Sequence, residues 1–550
     1  MAMRNVLWIM CDQLRHDYLS CAGHPRLRTP NIDGLAARGV RFSRAYVQSP
    51  VCGPSRMSYY TGRYMRSHGA NWNQFPLRVD EPTLGDALKA LGVRNVLVGK
   101  THMRADEDGM KRLGIAPASD LGVHVAQCGF EPFERDDGLH PTASGGGRTR
   151  YDDYLRARGY GGPNPWQDWA NAGDAGAGLA DGWLLGHADK AARVDEADSE
   201  TPYMTRRAME FISGAGRDGR PWCLHLSYIK PHWPYIAPAP YHALYGAGDV
   251  EAANRDEAER ADPHPVFGAF MARRVSRNMS RDAVRARVVP AYMGLVRQID
   301  DQIGVLLAHL EAEGLADTTM VVFTSDHGDY LGDHWLGEKD LFHDCSVKVP
   351  FILCDPSPEA DATRGTLCDR LVEAIDLAPT LVEAFGGAPR PNVMEGRSLL
   401  PLVRGRPVGA WRDCAVSEYD YSMLDVRTAL GREPRDCRLF MVFDGRWKMV
   451  HAPGYRPMLF DLATDPAERR DLGAEPARAP EVARLRALLL DWALRDHNRV
   501  TMPDERILAY GPAQELEAGV LIGYTDEAEV ARARDDLAAH PTPDPAVPTP

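Results

Sequence analysis

Residues 295–310, LVRQIDDQIGVLLAHL, and 320–329, MVVFTSDHGD, decide the architecture. Leu295, Ile299, Ile303, Leu306, Leu307 and Leu310 recur at helical spacing, and Gly314 supplies a stop. Residues 320–324 then form a continuous apolar run of the kind that makes a buried strand. A helix feeding a buried strand, with β-branched and apolar runs also at 6–10, 95–98, 222–228 and 351–353, predicts an α/β fold. The expected sheet is large and mostly parallel, with helices on both faces.

The chain has 550 residues, 44% of them hydrophobic, so a large core is affordable within the composition. Its 77 acidic and 64 basic residues give a net charge of −13, dispersed rather than blocked. Neither a nucleic-acid footprint nor a membrane-surface patch is therefore expected. The apolar run Val6 to Cys11 is far short of the roughly 20 residues that span a bilayer, and no basic n-region precedes it. The ten cysteines contain no C-x-x-C pair. Together these features predict a soluble enzyme of the reducing cytoplasm.

Residues 1–407 read as the main domain, with a Gly-, Ala- and Asp-rich insertion over about 104–199 expected to cover the site. Residues 408–505 read as a small antiparallel sheet, because 438–443, Asp444-Gly445 and 446–450 have the pattern of a hairpin with a type I′ turn. Residues 506–550 read as a docking arm ending in a Pro-rich, disordered tail.

Four of the predicted strands run into polar clusters: Asp12-Gln13, Lys100-Thr101-His102, Lys230-Pro231-His232 and Ser325-Asp326-His327. In open α/β sheets ligands bind outside the carboxyl ends of the strands, so parallel strands would bring these clusters to one edge. Alone, Asp12 reads as a turn or helix cap and Asp326-His327 as a loop pair. Together, Asp12, Gln13, Asp326 and His327 offer three oxygen donors and one imidazole, a set suited to a hard divalent ion such as Ca²⁺, Mg²⁺ or Mn²⁺. The segment 49–62, SPVCGPSRMSYYTG, adds a helix start at Pro54 and a stop at Gly62. Cys52 then lies at a helix N-terminus, which favours an anion, with Arg56 one turn further on.

That segment resembles the signature of the type I sulfatases of the alkaline phosphatase superfamily, Cys-x-Pro-Ser-Arg-x-x-x-x-Thr-Gly, here Cys52, Pro54, Ser55, Arg56, Thr61 and Gly62. Further matches are Asp12-Gln13, Gly99-Lys100-x-His102, Pro231-His232-x-Pro234, Asp326-His327-Gly328, Lys339, Val349-Pro350 and the stretch from Leu459 to Pro466. The resemblance implies an alkaline phosphatase-like sheet and a sulfuric ester hydrolase of arylsulfatase type. It implies that a formylglycine-generating enzyme oxidises Cys52 to an aldehyde whose hydrate is the nucleophile. One hydroxyl attacks sulfur with help from the metal; the other loses its proton, so that sulfate leaves by elimination. His102 resembles the base for that proton and His232 the acid for the leaving alcohol. Lys100 and Lys339 resemble the cations on the sulfate oxygens, Arg56 the partner of the formylglycine hydroxyl, and Asn73 a sulfate-contacting amide. The implied metal set is Asp12, Gln13, Asp326, His327 and the group derived from Cys52, with Ca²⁺ ahead of Mn²⁺ or Mg²⁺.

Phosphonate monoester and phosphodiester hydrolases of the same family share the Asp-Gln and Asp-His pairs and an extended arm, but carry Tyr and Thr where this chain has Lys100 and His102. Sulfate monoesters are thus the expected main substrates, with phosphonate or phosphodiester turnover as a side activity. A choline sulfatase ranks lower, because Gly53 and Ser55 depart from its pattern, and an inactive binding protein would be expected to lack Cys52, His102 or Lys339. The arm implies a homo-oligomer, a dimer or tetramer. The leaving-group pocket is expected around 104–199, Trp233 and Tyr235.

Overall fold

The computed structural model describes residues 3–138, 140, 149–176, 178–215, 219–495, 499–509, 516 and 518–539. Its centre is an eight-stranded sheet. In chain order the strands are β1 (Asn5–Asp12), β2 (Val40–Phe42), β3 (Arg94–Gly99), β4 (Glu131–Arg135), β5 (Trp222–Pro231), β6 (Thr319–Ser325), β7 (Phe351–Cys354) and β8 (Thr366–Cys368). They lie in the order β8-β2-β7-β6-β1-β5-β3-β4. β1 pairs in parallel with β6 and β5, and β3 pairs in parallel with β5 and β4. β7 runs antiparallel to β6 and β2. The sheet is therefore mixed and mostly parallel, and β1, β3, β4, β5 and β6 end on one edge.

β1 shows why both faces carry helices. Val6, Trp8 and Met10 point into one core, shared with Met57, Tyr59 and Tyr60 of helix α1 (Cys52–Thr61). Leu7, Ile9 and Cys11 point into the other, shared with α2 (Glu200–Ala215) and α3 (Asp282–Ala312). A strand buried on both sides reads as a continuous apolar run rather than an alternating one. α3 contains the predicted residues 295–310 and starts earlier, at Asp282; past its end Gly314 adopts the left-handed conformation, φ 68°.

Two expectations need adjustment. The stretch read as an insertion contributes β4, the edge strand of the main sheet, as well as the short helices Glu107–Arg112, Asp120–Ala126 and Arg150–Ala157. The C-terminal sheet of β9 (Ala415–Asp420), β10 (Arg438–Phe443), β11 (Trp447–His451) and β12 (Met458–Asp461) is antiparallel as expected, but its hairpin does not use a type I′ turn. Type I′ needs positive φ at both central residues, and only Gly445 has it, at 98°. Instead the Asp444 carboxylate accepts from the backbone N–H groups of Arg446 and Trp447, at 2.9 and 2.7 Å, an Asx-type turn. Val416, Val442, Met449 and Leu459 of this sheet pack on Val482, Leu485, Leu489 and Trp492 of helix α4 (Ala479–Ala493).

The arm contains the helix Glu527–Ala539, while the Pro-rich 541–550 and the Gly145-Gly146-Gly147 run lie outside the described residues. Among the described residues no helix is long and apolar enough to cross a membrane.

Candidate active site

The site grows from adjacent strand ends. β1 and β6 run side by side, so Asp12-Gln13 and Asp326-His327 emerge together. Ser325 stitches them: its hydroxyl bridges the carbonyls of Cys11 and His327, and it accepts from Leu14 N at 2.9 Å. Gln13 N donates to Asp326 Oδ1 at 3.0 Å, which turns the two carboxylates toward a common point.

Helix α1 delivers the sulfur to that point. All ten of its residues are buried, and Gly62 closes it at φ 68°. Asn73 Oδ1 accepts from Gly53 N at 2.7 Å, and a Cβ on Gly53 would stand 2.9 Å from that oxygen, so a larger residue beside Cys52 would have to displace Asn73. The Cys52 sulfur lies 3.1 Å from His327 Nε2, 3.3 Å from Lys339 Nζ and 3.8 Å from Asp12 Oδ1.

Donor atoms of Asp12, Cys52, Asp326 and His327 all fall within 4.8 Å of one another, and all four residues are buried. Two carboxylates at this separation in a dry interior call for a positive charge between them. Burial opposes ionisation of Asp12, yet Lys100, His232, Arg56 and His327 hold its carboxyl well below the ordinary range. Burial likewise opposes a charged His327, but Asp326 and the Cys52 sulfur prevail and push it up to about 9. Gln13 joins the cluster through Oε1, 3.3 Å from Lys339 Nζ, while its Nε2 donates to Asp329 Oδ2 at 2.5 Å. Hard oxygen donors, one imidazole and a buried anionic pair fit a divalent cation of the Ca²⁺, Mg²⁺ or Mn²⁺ type.

Arg56 lies among the carboxylates of the cluster. Its Nε donates to Asp326 Oδ2 at 2.8 Å, Nη2 to Asp12 Oδ2 at 2.9 Å, and Nη1 to Lys100 O at 2.8 Å and Ser227 Oγ at 2.7 Å. Four of the five guanidinium N–H groups are thus committed, and the side chain clamps the two carboxylates rather than reaching outward.

Of the remaining predicted residues, Lys339 contacts the sulfur directly, and the others are held by partners of their own. Lys100 Nζ pairs with Asp12 Oδ2 at 2.8 Å. Lys339 Nζ also donates to His232 Nε2 at 3.2 Å. His232 Nδ1 donates to Trp233 O at 2.7 Å, which fixes the tautomer and leaves Nε2 facing the site. Burial, Lys100 and Lys339 keep this imidazole well below the usual histidine range. His102 stands in the left-handed region at φ 56°, with Nε2 buried and without a protein partner. Burial and Lys100 hold it down as well, against Asp137 and Asp12. Asn73 sits at the start of α1 with its carbonyl committed to Gly53 N.

The sequence reading passed over several supports, and it placed Tyr235 and Trp233 only in the leaving-group pocket. Asp137 Oδ1 accepts from Thr101 N, His102 N and Thr101 Oγ1, at 2.7, 3.1 and 3.1 Å, and so shapes the Lys100–His102 turn. The Tyr235 hydroxyl donates to Asp329 Oδ2 at 2.5 Å, beside Gln13. Ser227 anchors Arg56, and Glu338 accepts from Trp233 Nε1 at 3.0 Å. For Asp137 the available signal was its place just past a strand end, as for Asp12 and Asp326.

The strand edge thus gathers two aspartates, an imidazole and a helix-borne cysteine into one buried, metal-competent cluster. Residues 4–388 match the Sulfatase family, and residues 332–494 match the C-terminal region of N-sulphoglucosamine sulphohydrolase. The multifunctional alkaline phosphatase superfamily protein PehA of Trinickia caryophylli is 32% identical over 524 residues, covering 91% of this chain and 97% of its own length. An arylsulfatase of Clostridium perfringens is 27% identical, over 88% of this chain and 93% of that one. The solved phosphonate monoester hydrolase of Silicibacter pomeroyi superposes with a TM-score of 0.78 at 28% identity, covering 90% of this chain and 97% of that one. The chain belongs to the sulfatase family of the alkaline phosphatase superfamily.

Proposed function

We propose that the protein hydrolyses sulfate monoesters, of arylsulfatase type, at a formylglycine formed from Cys52 by a formylglycine-generating enzyme. The observation that carries this reading is the position of the Cys52 sulfur, at the start of a buried helix and within 3.3 Å of both His327 Nε2 and Lys339 Nζ. Asp12, Gln13, Asp326 and His327 would hold one divalent cation, Ca²⁺ before Mn²⁺ or Mg²⁺, which supplies Lewis-acid charge to the nucleophile and the sulfuryl oxygens. The aldehyde hydrate supplies a nucleophile that can release sulfate by elimination.

The chain's own side chains do the rest. Lys100 and Lys339 neutralise peripheral oxygens, and Arg56 keeps the two aspartates at fixed separation. His232 presents Nε2 for proton delivery to the leaving oxygen. An arriving sulfate shields it from Lys100 and Lys339, so its pKa rises when the ester is bound. His102, with an unpartnered Nε2, is the base. Asn73 is the residual amide contact.

A second reading, phosphonate monoester or phosphodiester hydrolysis, is supported by the likeness to the S. pomeroyi enzyme and to PehA. The Lys100 and His102 pair favours sulfate as the main substrate. We further propose a cytoplasmic homo-oligomer, a dimer or tetramer, joined through the arm. A matched panel of kcat/KM for an aryl sulfate, choline sulfate, a phosphonate monoester and a phosphodiester tests the substrate. The aryl sulfate is expected to lead, and a leading phosphonate or diester would reverse the order. Peptide mass spectrometry of active enzyme is expected to show Cys52 converted from thiol to aldehyde; full activity with unmodified Cys52 refutes the nucleophile.

A further inference from the structure

A cleft of about 860 Å³ lies beside the site. Trp233 and Glu338 belong to its wall, and their chain neighbours His232 and Lys339 face the Cys52 centre. The apolar lining is built on Trp183, whose ring meets that of Trp233 edge-on at 5.1 Å, and on the exposed Leu184.

Arginines line the cleft as well. Arg273 is neutralised by Asp340 at 2.6 Å and Asp425 at 3.1 Å. The Glu338 carboxylate is taken up by Trp233 Nε1 at 3.0 Å and lies 3.7 Å from Lys339 Nζ. Arg274, Arg281 and Arg287 also line the cleft, and among the described residues none has a carboxylate within 4 Å. Arg287 donates to Gly186 O at 2.8 Å. Three uncompensated guanidiniums in one cleft stand out in a chain of net charge −13.

We propose that this cleft receives the leaving group of the substrate, and that this group is a flat aromatic or apolar body bearing a second anion, a carboxylate or a further sulfate or sulfonate. The proposal rests on the reading of Cys52 as the centre of ester hydrolysis. The reaction at Cys52 consumes one sulfuryl group and has no use for the further cations of this cleft. Indole faces hold a planar body. Guanidinium forks match carboxylate and sulfonate oxygens. A cationic leaving group such as choline would face the three uncompensated guanidiniums there.

The test compares 2-naphthyl sulfate with its 6-carboxylate and 6-sulfonate derivatives, in the wild type and in the triple variant Arg274→Gln, Arg281→Gln, Arg287→Gln. The anionic esters are expected to exceed the plain one in kcat/KM by about fivefold or more, the effect of at least one good exposed ion pair. That ratio is expected to fall toward one in the triple variant. A response to carboxylate alone or sulfonate alone identifies the anion. Calorimetric binding of 6-hydroxy-2-naphthoate against 2-naphthol reads the cleft without any chemistry, so it stands even if no sulfate ester is turned over, an outcome that would defeat the sulfatase reading instead. Equal affinity for the two naphthols in the wild type, or an unchanged preference in the triple variant, overturns the proposal.

Discussion

Replacing Asp137 by alanine removes three hydrogen bonds from one turn: those to Thr101 N, Thr101 Oγ1 and His102 N. Bonds to an ionised acceptor contribute about 1.5–3 kcal/mol each when protected. The Asp137 side chain is 33% exposed, which puts these at the low end. They oppose the cost of holding His102 at φ 56°, about 1–2 kcal/mol for a residue with a Cβ. Once the carboxylate is gone the turn has reason to relax, and displacing a reacting group by about 1 Å costs on the order of 100-fold in rate. Asp137→Ala is therefore expected to lower kcat/KM for an aryl sulfate about 100-fold while the fold is kept. Asp137→Asn tests charge separately, because it retains an acceptor oxygen. Asp137 is one of two groups raising the pKa of His102 against burial and Lys100. Without that charge the imidazole sheds its proton at lower pH, and since a base acts when unprotonated, the acidic limb of the pH–kcat/KM profile moves down. The assay is that profile for wild type, Ala and Asn. An Ala variant with near wild-type kcat/KM, or an Asn variant whose limb moves upward, refutes the reasoning.

His232→Ala is expected to slow sulfate esters of poor leaving groups far more than nitrophenyl sulfate, because only the former need a proton; equal losses remove His232 from acid catalysis. Exhaustive chelation is expected to abolish turnover and lower Tm, with Ca²⁺ or Mn²⁺ restoring both. At a hundredfold excess over Kd, bound ion adds about 2.7 kcal/mol, and an unchanged melting curve would count against the site. Glu418 is buried and accepts from Arg66 N, and burial raises its carboxyl from 4.5 to about 7. The folded chain then keeps a proton that the unfolded chain releases, so stability declines from about pH 4.5 to about 7, by roughly 3 kcal/mol, and is level above. Glu418→Gln is expected to raise Tm at alkaline pH and leave it unchanged in acid, checked by melting curves across pH.

The strands were legible wherever an apolar run ended in a polar cluster. β1, β3, β5 and β6 fall within a few residues of their predicted bounds, because strands covered on both faces need unbroken hydrophobic sequence. β4 was not legible: Glu-Pro-Phe-Glu-Arg on a sheet edge has no apolar period, and with it Asp137 was lost. The set Asp12, Gln13, Asp326 and His327 followed from strand ends alone, as did the place of His102, whereas Lys339 and Asn73 were found only through the family resemblance. The commitments of Arg56 could not be read at all. They are set by Asp12, Ser227 and Asp326, 44, 171 and 270 residues away, and spacing carries no information about such contacts.

The burial of α1 also orders events in the life of the chain. With all ten residues of the helix out of contact with solvent, the Cys52 thiol of the finished fold is closed to any enzyme that must grip the surrounding peptide. On the proposed reading of Cys52, its oxidation has to precede docking of the helix, so maturation and folding would compete for the same interval after synthesis. Slowing the collapse of residues 52–61 should enrich the converted form, and overproduction that outruns the modifying enzyme should leave a well-folded, permanently idle population.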